Sequence, residues 1–321
     1  MKKVRWGIMG IGRMAGVFGN TLKALEQAKV YAVASRNLEK ATEFGAEYGA
    51  VKCYGSYEEL VQDEQVDIIY IATPIACHYD NVKLCLNAGK HVLCEKAFTQ
   101  SAEGARELYA LAKEKKVLLM EGLWTKCQPV FRKIMEWNRE GKLGRIQAID
   151  ARFYTKGGRD HRLVKNRSQG GVLFDLVIYP LMYACAILGY EPEQISALAV
   201  KEGDGGIDIM DSIQLRYKNG AFATLTSGVS HERQISLYIQ GTSGRILIQD
   251  EFFFQAQRVV LEDWNGQVKE EFDGSFMING YEYEAIEAMQ CIEQGKTRSE
   301  LLPMEETIAI LELLERCREN Q

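Results

Sequence analysis

The sequence has little proline and histidine and no long uncharged apolar run, and these shortages exclude whole classes of protein. Of its 321 residues, 5 are proline, which excludes collagen-like and proline-rich chains. Only 4 residues are histidine. No stretch approaches the ~18 apolar residues that a membrane-spanning helix needs. The basic start at Met1 lacks the pattern of a secretory leader. We therefore expect a cytoplasmic protein without a membrane partner.

An excess of charge of one sign is also absent. The chain has 39 basic and 44 acidic residues, a formal net charge of −5. Such a balance offers no electrostatic attraction to nucleic acid, so we predict no nucleic-acid partner. The 8 cysteines form no C-x-x-C pair, and the 4 histidines show no metal-ligand spacing. This pattern predicts buried free thiols and no metal.

What is present is an ordinary globular composition, 46% hydrophobic and 26% charged, over a length that suits two domains of ~150 residues each. Up to about residue 122, short apolar runs alternate with helical patterns, which predicts a parallel sheet with helices on both faces. Later strands alternate with period two, and Asn219-Gly220 joins two of them in a hairpin. We expect an α/β domain at 1–122 and an α+β domain with a large, mostly antiparallel open sheet at 123–321, with helices over 171–188, 281–293 and 304–318.

One face of the second sheet needs a cover. Four apolar residues alternate along two of its strands, Leu237, Ile239, Ile246 and Ile248. A helix of the same chain or a second copy of the chain could bury them. The pattern alone leaves both coverings open.

Residues 10–15 read G-x-G-x-x-A, directly after the first strand and at the start of a helix. In that position Gly10 permits a tight turn, Gly12 lets the backbone approach a pyrophosphate, and Ala15 allows close packing of helix on strand. The helix start supplies free N–H groups to phosphates. A glycine pair in an ordinary turn is the alternative, and the alternation that follows favours dinucleotide binding.

The second strand ends in Ser35-Arg36, where an NAD-binding protein carries Asp or Glu for the ribose 2′-hydroxyl. The Ser35 hydroxyl, Arg36 and Lys40 suit a 2′-phosphate instead, which a carboxylate would repel. We therefore predict NADPH over NADH. The alternative is that Arg36 is a solvated residue at a helix start.

Glu95-Lys96 follows the buried strand that begins at His91, at the edge of the sheet where ligands bind. Lys96 there can donate a hydrogen bond to a substrate hydroxyl and take part in proton transfer. A surface ion pair is the plainer interpretation of the two residues.

Three segments carry a resemblance to a known family: the glycine turn, Ala72-Thr73-Pro74 with His78, and the run 88–96. Together they resemble the glucose-fructose oxidoreductase, inositol dehydrogenase and rhizopine catabolism (Gfo/Idh/MocA) oxidoreductases. The resemblance implies an N-terminal Rossmann domain for NADP(H), and a second domain for a small-molecule substrate and for assembly as a homodimer or dimer of dimers. The cofactor-binding set, from the motifs and the resemblance, is Gly10, Ile11, Gly12, Arg13, Met14, Ser35, Arg36, Lys40, Ala72, Thr73, Pro74, His78, Glu95, Lys96 and Trp124.

Two later segments, E-G-L-W-T-K-C-Q-P at 121–129 and G-G-V-L-F-D-L-V-I-Y-P at 170–180, are similar to the branch with trans-dihydrodiol and NADP-dependent D-xylose dehydrogenases. This resemblance implies that Tyr179 gives and takes the proton, Lys96 is its partner, and Asp175 binds or orients the substrate. Asp175 and Tyr179 are four residues apart and so share one helical face. A satisfied core aromatic is the alternative for Tyr179, and a buried hinge residue for Trp124.

The sequence departs from the family pattern at four positions, Ile75, Ala97, Cys127 and Val177. None removes a proton-transfer group, so we expect cofactor binding and hydride transfer in an altered pocket.

The sequence thus predicts an NADP(H)-dependent oxidoreductase that acts on CH–OH groups and moves a hydride between nicotinamide and a carbon of a sugar, polyol or dihydrodiol. The alternatives are an imine or keto-sugar reductase on the same scaffold and a non-catalytic redox sensor. Lys96 and Tyr179 argue against the sensor, which needs neither.

Overall fold

A computed structural model describes residues 3–157, 161–165, 170–203, 206–230, 232–249 and 252–321. The strands are β1 Val4–Met9, β2 Ala28–Ala34, β3 Lys52–Tyr54, β4 Ile68–Ile71, β5 His91–Glu95, β6 Leu119–Gly122, β7 Ile146–Lys156, β8 Gln194–Lys201, β9 Asp208–Arg216, β10 Phe222–Ser230, β11 Gln234–Gly241, β12 Arg245–Gln249, β13 Arg258–Glu262 and β14 Val268–Asp273. The helices are α1 Arg13–Ala24, α2 Leu38–Tyr48, α3 Tyr57–Gln62, α4 His78–Asn87, α5 Ala102–Lys115, α6 Pro129–Arg139, α7 Arg162–Lys165, α8 Ile178–Leu188, α9 Glu282–Glu293 and α10 Met304–Glu319.

The chain forms two compact units that do not follow one boundary in the sequence. The first unit is Met1–Cys127 with Met277–Ile308, and the second is Gln128–Phe276 with Ala309–Gln321. The boundary placed at 122/123 therefore leaves out the return of the chain to the first unit, where α9 packs on α1. Composition gives no sign of this return because α9 has the same amphipathic character as a helix of either unit.

The first unit contains the predicted parallel sheet. Its strand order is β3-β2-β1-β4-β5-β6, with every neighbouring pair parallel. β4 is buried along its whole length, as expected of a strand covered by helices on both faces. The order reverses between β1 and β4, and such a reversal opens a crevice at the carboxyl ends of the strands. Ser56 and Glu59 form a capping box at the start of α3, and the Ser101 side chain caps α5.

The second unit contains the mostly antiparallel sheet. Its order is β14-β13-β12-β11-β7-β10-β9-β8, and within it β10 and β7 pair in parallel. The Asn219-Gly220 hairpin joins β9 and β10 as predicted. The sequence patterns did not predict β13 and β14. β14 lies at the sheet edge, is charged and is mostly exposed, so it lacks the apolar alternation of a half-buried strand. The helix predicted over 171–188 begins with a π-helical stretch, Leu173–Val177, before α8.

The apolar face offered by β11 and β12 is covered within the chain. Leu237, Ile239 and Ile246 are 0% exposed and Ile248 is 4% exposed, on the side of the sheet where α8 packs on β7 and β10. These four side chains are therefore buried within the chain itself and do not need a second copy to cover them. The opposite face carries exposed apolar side chains of its own, Leu198, Val200, Phe222 and Leu247.

The cysteines are free thiols, as predicted, and six of the eight are buried. The prediction of burial is wrong for Cys77, which is exposed after β4, and Cys53 is half-buried. No helix in the described ranges combines the length and the apolar character that crossing a membrane demands. The same ranges hold no group of three or more His, Cys, Asp or Glu side chains suited to a metal ion.

Candidate functional site

The glycine turn after β1 is closed against the end of β4. Gly10 has φ +89°, and a Cβ there would lie 3.0 Å from Cγ2 of Thr73 and 3.2 Å from O of Ala72, so only glycine fits. Gly12 caps α1 without a side-chain hydrogen bond, and a Cβ there would meet nothing nearer than O of Ala72 at 3.9 Å. Ala15 is fully buried. The first N–H groups of α1 thus border open space, which suits an anion.

The end of β2 lies beside this turn, because the N–H of Gly10 donates to O of Ala34 at 3.0 Å. The Ser35 hydroxyl accepts a hydrogen bond from the N–H of Asn37 at 3.3 Å. Arg36 and Lys40 are exposed, and no ion pair involves either of them among the described residues. Two cations therefore border the turn at the tip of β2. The rest of the predicted turn, Ile11, Arg13 and Met14, is half-exposed or exposed.

His78 ties the end of β4 to the segment that follows Lys96. Its Nδ1 lies 3.0 Å from O of Ala97 and 3.1 Å from O of Phe98, and its Nε2 lies 2.8 Å from O of Thr73. The ring is 1% exposed, and burial lowers the pKa of the imidazole. These contacts make His78 a positioning residue, since all three are to backbone carbonyls.

Glu95 is the last residue of β5 and Lys96 follows it, at the same edge of the sheet as the turn, the end of β2 and Ala72-Thr73-Pro74. Glu95 is buried and accepts a hydrogen bond from the hydroxyl of Tyr70, whereas Lys96 is half-buried. The Lys96–Ala97 peptide is cis. The fourteen cofactor-binding residues predicted up to Lys96 therefore all follow or border the carboxyl ends of β1, β2, β4 and β5. An uncapped helix start with cations beside it fits a dinucleotide.

Three buried carboxyl groups lie next to this edge. Glu95, Glu121 and Glu284 are 7%, 1% and 0% exposed, and a Cβ on Gly122 at the end of β6 would lie 3.5 Å from Oε2 of Glu284. Burial raises the pKa of Glu121, and it raises the pKa of Glu284 well above its usual value, with the two neighbouring carboxylates adding to the rise. Neither oxygen of Glu284 has a hydrogen-bond partner in the described part of the chain. Burial without a hydrogen-bond donor therefore favours the neutral form of Glu284 over its carboxylate.

Glu121, in contrast, has donors for both oxygens. The N–H of Phe98 donates to one oxygen at 2.9 Å and the hydroxyl of Thr307 to the other at 2.8 Å. The sequence patterns indicate Glu95 but not Glu284, because an acid on a helix looks like any solvated acid until its burial by tertiary packing is known.

Trp124 is 3% exposed and stacks on Tyr281, with ring centroids 3.9 Å apart and an angle of 7°. This is the buried arrangement that stood as the alternative to a pocket-lining role. The departures from the family pattern are buried as well: Ile75, Ala97, Cys127 and Val177 are 0–6% exposed. These four residues change the apolar packing around the site and remove neither of the predicted proton-transfer groups, Lys96 and Tyr179.

In the second unit, Tyr179 lies among aromatic rings. It is 6% exposed, stacks on Phe254 at 4.5 Å with an angle of 27°, and meets the edge of Phe153 at 6.0 Å. Phe252 joins the same group at 5.0 Å from Phe254, and the guanidinium of Arg233 lies 5.0 Å above its ring. The three phenylalanines at 252–254 are consecutive in the sequence, and no motif marks them as part of a site.

Asp175 lies in the π-helical stretch and pairs with Arg162, whose Nη2 is 2.5 Å from Oδ2. The Asp175 side chain is 12% exposed and that of Arg162 is 46% exposed. Burial lowers the pKa of the neighbouring His161, and the positive charge of Arg162 lowers it further. A π turn inside a helix often marks a functional position. Arg162 is a candidate site residue that no motif indicated.

Two family profiles match the chain in the order of its two sheets. One, described as an oxidoreductase family with an NAD-binding Rossmann fold, matches residues 4–123. The other, described as the GFO/IDH/MocA C-terminal domain, matches residues 131–247.

Curated relatives match over almost the full chain. The trans-1,2-dihydrobenzene-1,2-diol dehydrogenase of Mus musculus is 34% identical over 329 residues, covering 98% of this chain and 96% of the relative. The enzyme of the same name from Homo sapiens is 30% identical over 328 residues, with the same coverage.

Solved structures match as well. A 3-ketoreductase from Actinomadura kijaniata, in complex with NADP and TDP-benzene, has a TM-score of 0.88 at 26% identity, covering 99% of this chain and 98% of that one. A levoglucosan dehydrogenase in complex with NADH and levoglucosan has a TM-score of 0.84 at 18% identity, covering 99% and 97%; at that identity the match shows the fold alone.

Proposed function

The chain belongs to the Gfo/Idh/MocA oxidoreductase family, and from this premise we propose that it is an NADP(H)-dependent dehydrogenase or reductase of a small cyclic substrate. The observation that carries the proposal is the arrangement at one edge of the first sheet. The uncapped glycine turn lies at the carboxyl end of β1, the exposed cations Arg36 and Lys40 lie after β2, and Glu95-Lys96 lie at the end of β5. The substrate carbon belongs to a sugar, a polyol or a dihydrodiol. It bears the hydroxyl or carbonyl group that reacts.

The chain's own residues supply binding, orientation and proton transfer. The nicotinamide, when bound, exchanges the hydride with the substrate carbon. The glycine turn and the start of α1 hold the phosphates. Lys96 donates a hydrogen bond to the substrate oxygen, and the Tyr179 hydroxyl gives or takes its proton. Asp175, held by Arg162, orients a further substrate hydroxyl.

The aromatic surroundings of Tyr179 support its role as a fixed group. Phe254 stacks on its ring and Phe153 meets its edge, and such aromatic pairs hold a ring in a defined orientation. A keto-sugar reductase is the second candidate, and the match to the 3-ketoreductase with NADP and TDP-benzene favours it.

Turnover tests the proposal directly. NADP⁺ reduction and NADPH oxidation are measured across aldoses, inositols, dihydrodiols and ketosugars. We expect turnover with at least one of these classes and a preference for the phosphorylated cofactor. Tight NADPH binding without turnover on any carbonyl or alcohol of the panel would instead favour a sensor.

Replacing Arg36 by Asp is expected to weaken NADPH binding by roughly 10–100-fold. The change removes a charge-assisted hydrogen bond worth about 1.5–3 kcal/mol and places a like charge beside the 2′-phosphate. The affinity for NADH should stay level or rise. Fluorescence titration with both cofactors measures the change.

Lys115→Asp is the matched control, because Lys115 is an exposed cation at the end of α5, on the opposite edge of the sheet. Equal losses for NADPH and NADH in Arg36→Asp would contradict a 2′-phosphate site at this position.

We further propose that the outer face of the second sheet pairs with a second copy, giving a homodimer or a dimer of dimers. Leu198 is 71% exposed and Val200 54% exposed on adjacent outward positions of β8, and exposed apolar patches mark association surfaces. Leu198→Glu with Val200→Glu should halve the mass seen by light scattering. Met277→Glu, at a residue 64% exposed in the first unit, should leave it unchanged. A wild-type monomer would refute the pairing.

All eight cysteines are free thiols, which suits the reducing cytoplasm in which we propose that the enzyme works.

A further inference from the structure

A pair of acidic residues lies next to the start of the helical segment that carries Asp175, in the π-helical stretch, and Tyr179, in α8. Asp208 and Asp211 stand at the start of β9, and the carboxyl group of one is within hydrogen-bonding reach of the other. Asp211 is 0% exposed and points to the covered face of the sheet, the face that also holds Ile213 and Leu215. Nothing in the proposed reaction uses these two acids.

Asp208 holds the start of that helical segment. Its Oδ2 accepts a hydrogen bond from the N–H of Leu173, the first residue of the π-helical stretch, at 2.6 Å. Gly171, with φ +76°, lies so close that a Cβ there would come 2.1 Å from Oδ1 of Asp208. The carboxylate thus sits where a capping residue acts, and its negative charge suits the helix start. Its position sets where the segment with Asp175 begins.

Asp211 cannot be satisfied as an anion. Its Oδ1 accepts a hydrogen bond from Nε2 of Gln321 at 2.6 Å, while Oδ2 is buried and has no donor among the described residues. Ser227, directly opposite on β10, has a buried hydroxyl that is likewise without a partner in those ranges. Two carboxylate oxygens form a hydrogen bond only when one of them carries a proton. Both oxygens of Asp211 therefore have a partner only when Asp211 is the protonated acid and donates to the carboxylate of Asp208.

The charges around the pair agree with this assignment. Burial raises the pKa of Asp211 to about 8, with the charge of Asp208 and their hydrogen bond adding to the rise. Against it act the hydrogen bond from Gln321 and the charge of Lys201 on β8. On α10, burial raises the pKa of the Cys317 thiol, and the charge of Asp211 raises it further. The pair thus carries one proton at neutral pH.

We infer that Asp208 and Asp211 share one proton and so clamp the start of the helical segment that carries Asp175 and Tyr179. They are positioning residues: they touch that segment and act on the reaction only through it. Loss of the proton leaves two adjacent carboxylates that repel each other, and Asp208 then moves away from the N–H of Leu173. The effect on catalysis rests on the proposed function, whereas the clamp itself does not.

The sign of the pH effect follows from the direction of the pKa shift. The pKa of Asp211 in the folded chain lies above its usual value of 3.8. The proton on Asp211 therefore contributes fully to the free energy of unfolding below the usual pKa of 3.8. This contribution is lost as the pH rises through about 8. The clamp should loosen on the alkaline side.

Amide hydrogen exchange of the full-length protein tests the clamp without turnover. Protection of the peptide 171–177, corrected for the intrinsic rate at each pH, should fall about tenfold for each pH unit above the titration of the pair. Asp211→Asn keeps a donor toward Asp208 at every pH, so its protection should stay level. Asp263→Asn, in an exposed turn, is the matched control and should behave like the wild type. The same pH dependence in Asp211→Asn and the wild type would overturn the shared proton.

A second variant keeps the test decisive if Asp211→Asn does not fold. Gln321→Ala removes a hydrogen bond that lowers the pKa of Asp211, so the loss of protection should move to higher pH. A shift to lower pH, or none, would overturn the inference.

The pH profile of turnover then tests the positioning role. The alkaline fall in kcat should move to higher pH in Asp211→Asn, while the KM for the cofactor at neutral pH stays unchanged. An unmoved alkaline limb in an active variant overturns the positioning role. Absence of turnover in the wild type would count against the proposed function alone, since exchange still decides the clamp.

Discussion

Replacing Lys96 by Met or Tyr179 by Phe is expected to lower kcat by roughly 10²–10⁴-fold, the share that a positioned proton-transfer group contributes. Met keeps much of the length of the lysine stem without the ammonium group, and Phe keeps the ring that stacks on Phe254 without the hydroxyl. The affinity for NADPH should stay within about twofold, because neither change touches the phosphate-binding turn. Steady-state kinetics with fluorescence titration of NADPH measures both quantities.

Tyr183→Phe is the matched control for Tyr179→Phe. Tyr183 lies one turn further along α8, is 0% exposed, and donates its hydroxyl to O of Phe253 at 2.9 Å. Its loss should cost about 1 kcal/mol of unfolding free energy and leave kcat within a factor of a few. If Tyr179→Phe and Tyr183→Phe lowered kcat equally, Tyr179 would be a core aromatic and not the proton donor.

Replacing Gly12 by Val is expected to weaken NADPH binding by roughly 100-fold or more while the chain still folds. The position has ordinary backbone angles, φ −78° and ψ −174°, and its nearest non-local atom is 3.9 Å from a built Cβ. The side chain would occupy the space in front of the first N–H groups of α1. Two lost charge-assisted hydrogen bonds, at about 1.5–3 kcal/mol each, account for the effect.

Stability measurements separate this effect from unfolding. Gly12→Val should lower the free energy of unfolding by about 1 kcal/mol, the usual scale at a helix cap. Gly10→Ala should cost more, because φ is +89° and Cγ2 of Thr73 lies 3.0 Å from the added carbon. NADPH affinity close to the wild type in folded Gly12→Val would place the phosphates elsewhere.

Local patterns predicted most of the first unit correctly. Uninterrupted apolar runs identify β1, β4 and β5 because strands of a parallel sheet are buried on both faces. Ser56 with Glu59 and Ser101 mark the starts of α3 and α5, since such caps depend only on neighbours in the chain. The glycine turn after β1 and Ser35-Arg36 after β2 are recognisable for the same reason, since each motif is short and directly follows its own strand.

Features that depend on contacts between residues far apart in the chain could not be predicted from the sequence. Alternation in β11 and β12 shows that one face is apolar, yet only the tertiary structure shows that this face is buried within the chain. The buried acids Glu284 and Asp211 carry no local mark, since a carboxyl group becomes neutral only when its surroundings exclude water. The pairing of Asp175 with Arg162 likewise depends on tertiary contacts.

The return of residues 277–308 to the first unit bears on how the protein is made. A ribosome completes β6 and then synthesises about 160 further residues before α9 begins. At ~5–20 residues per second this takes roughly 8–32 s. During that interval Gly122 lacks its neighbour Glu284, and Trp124 lacks the ring of Tyr281 on which it stacks. The nascent first unit is therefore an unfinished domain that exposes apolar surface to chaperones. A truncation that removes residues 277–308 would damage the unit whose larger part was synthesised first.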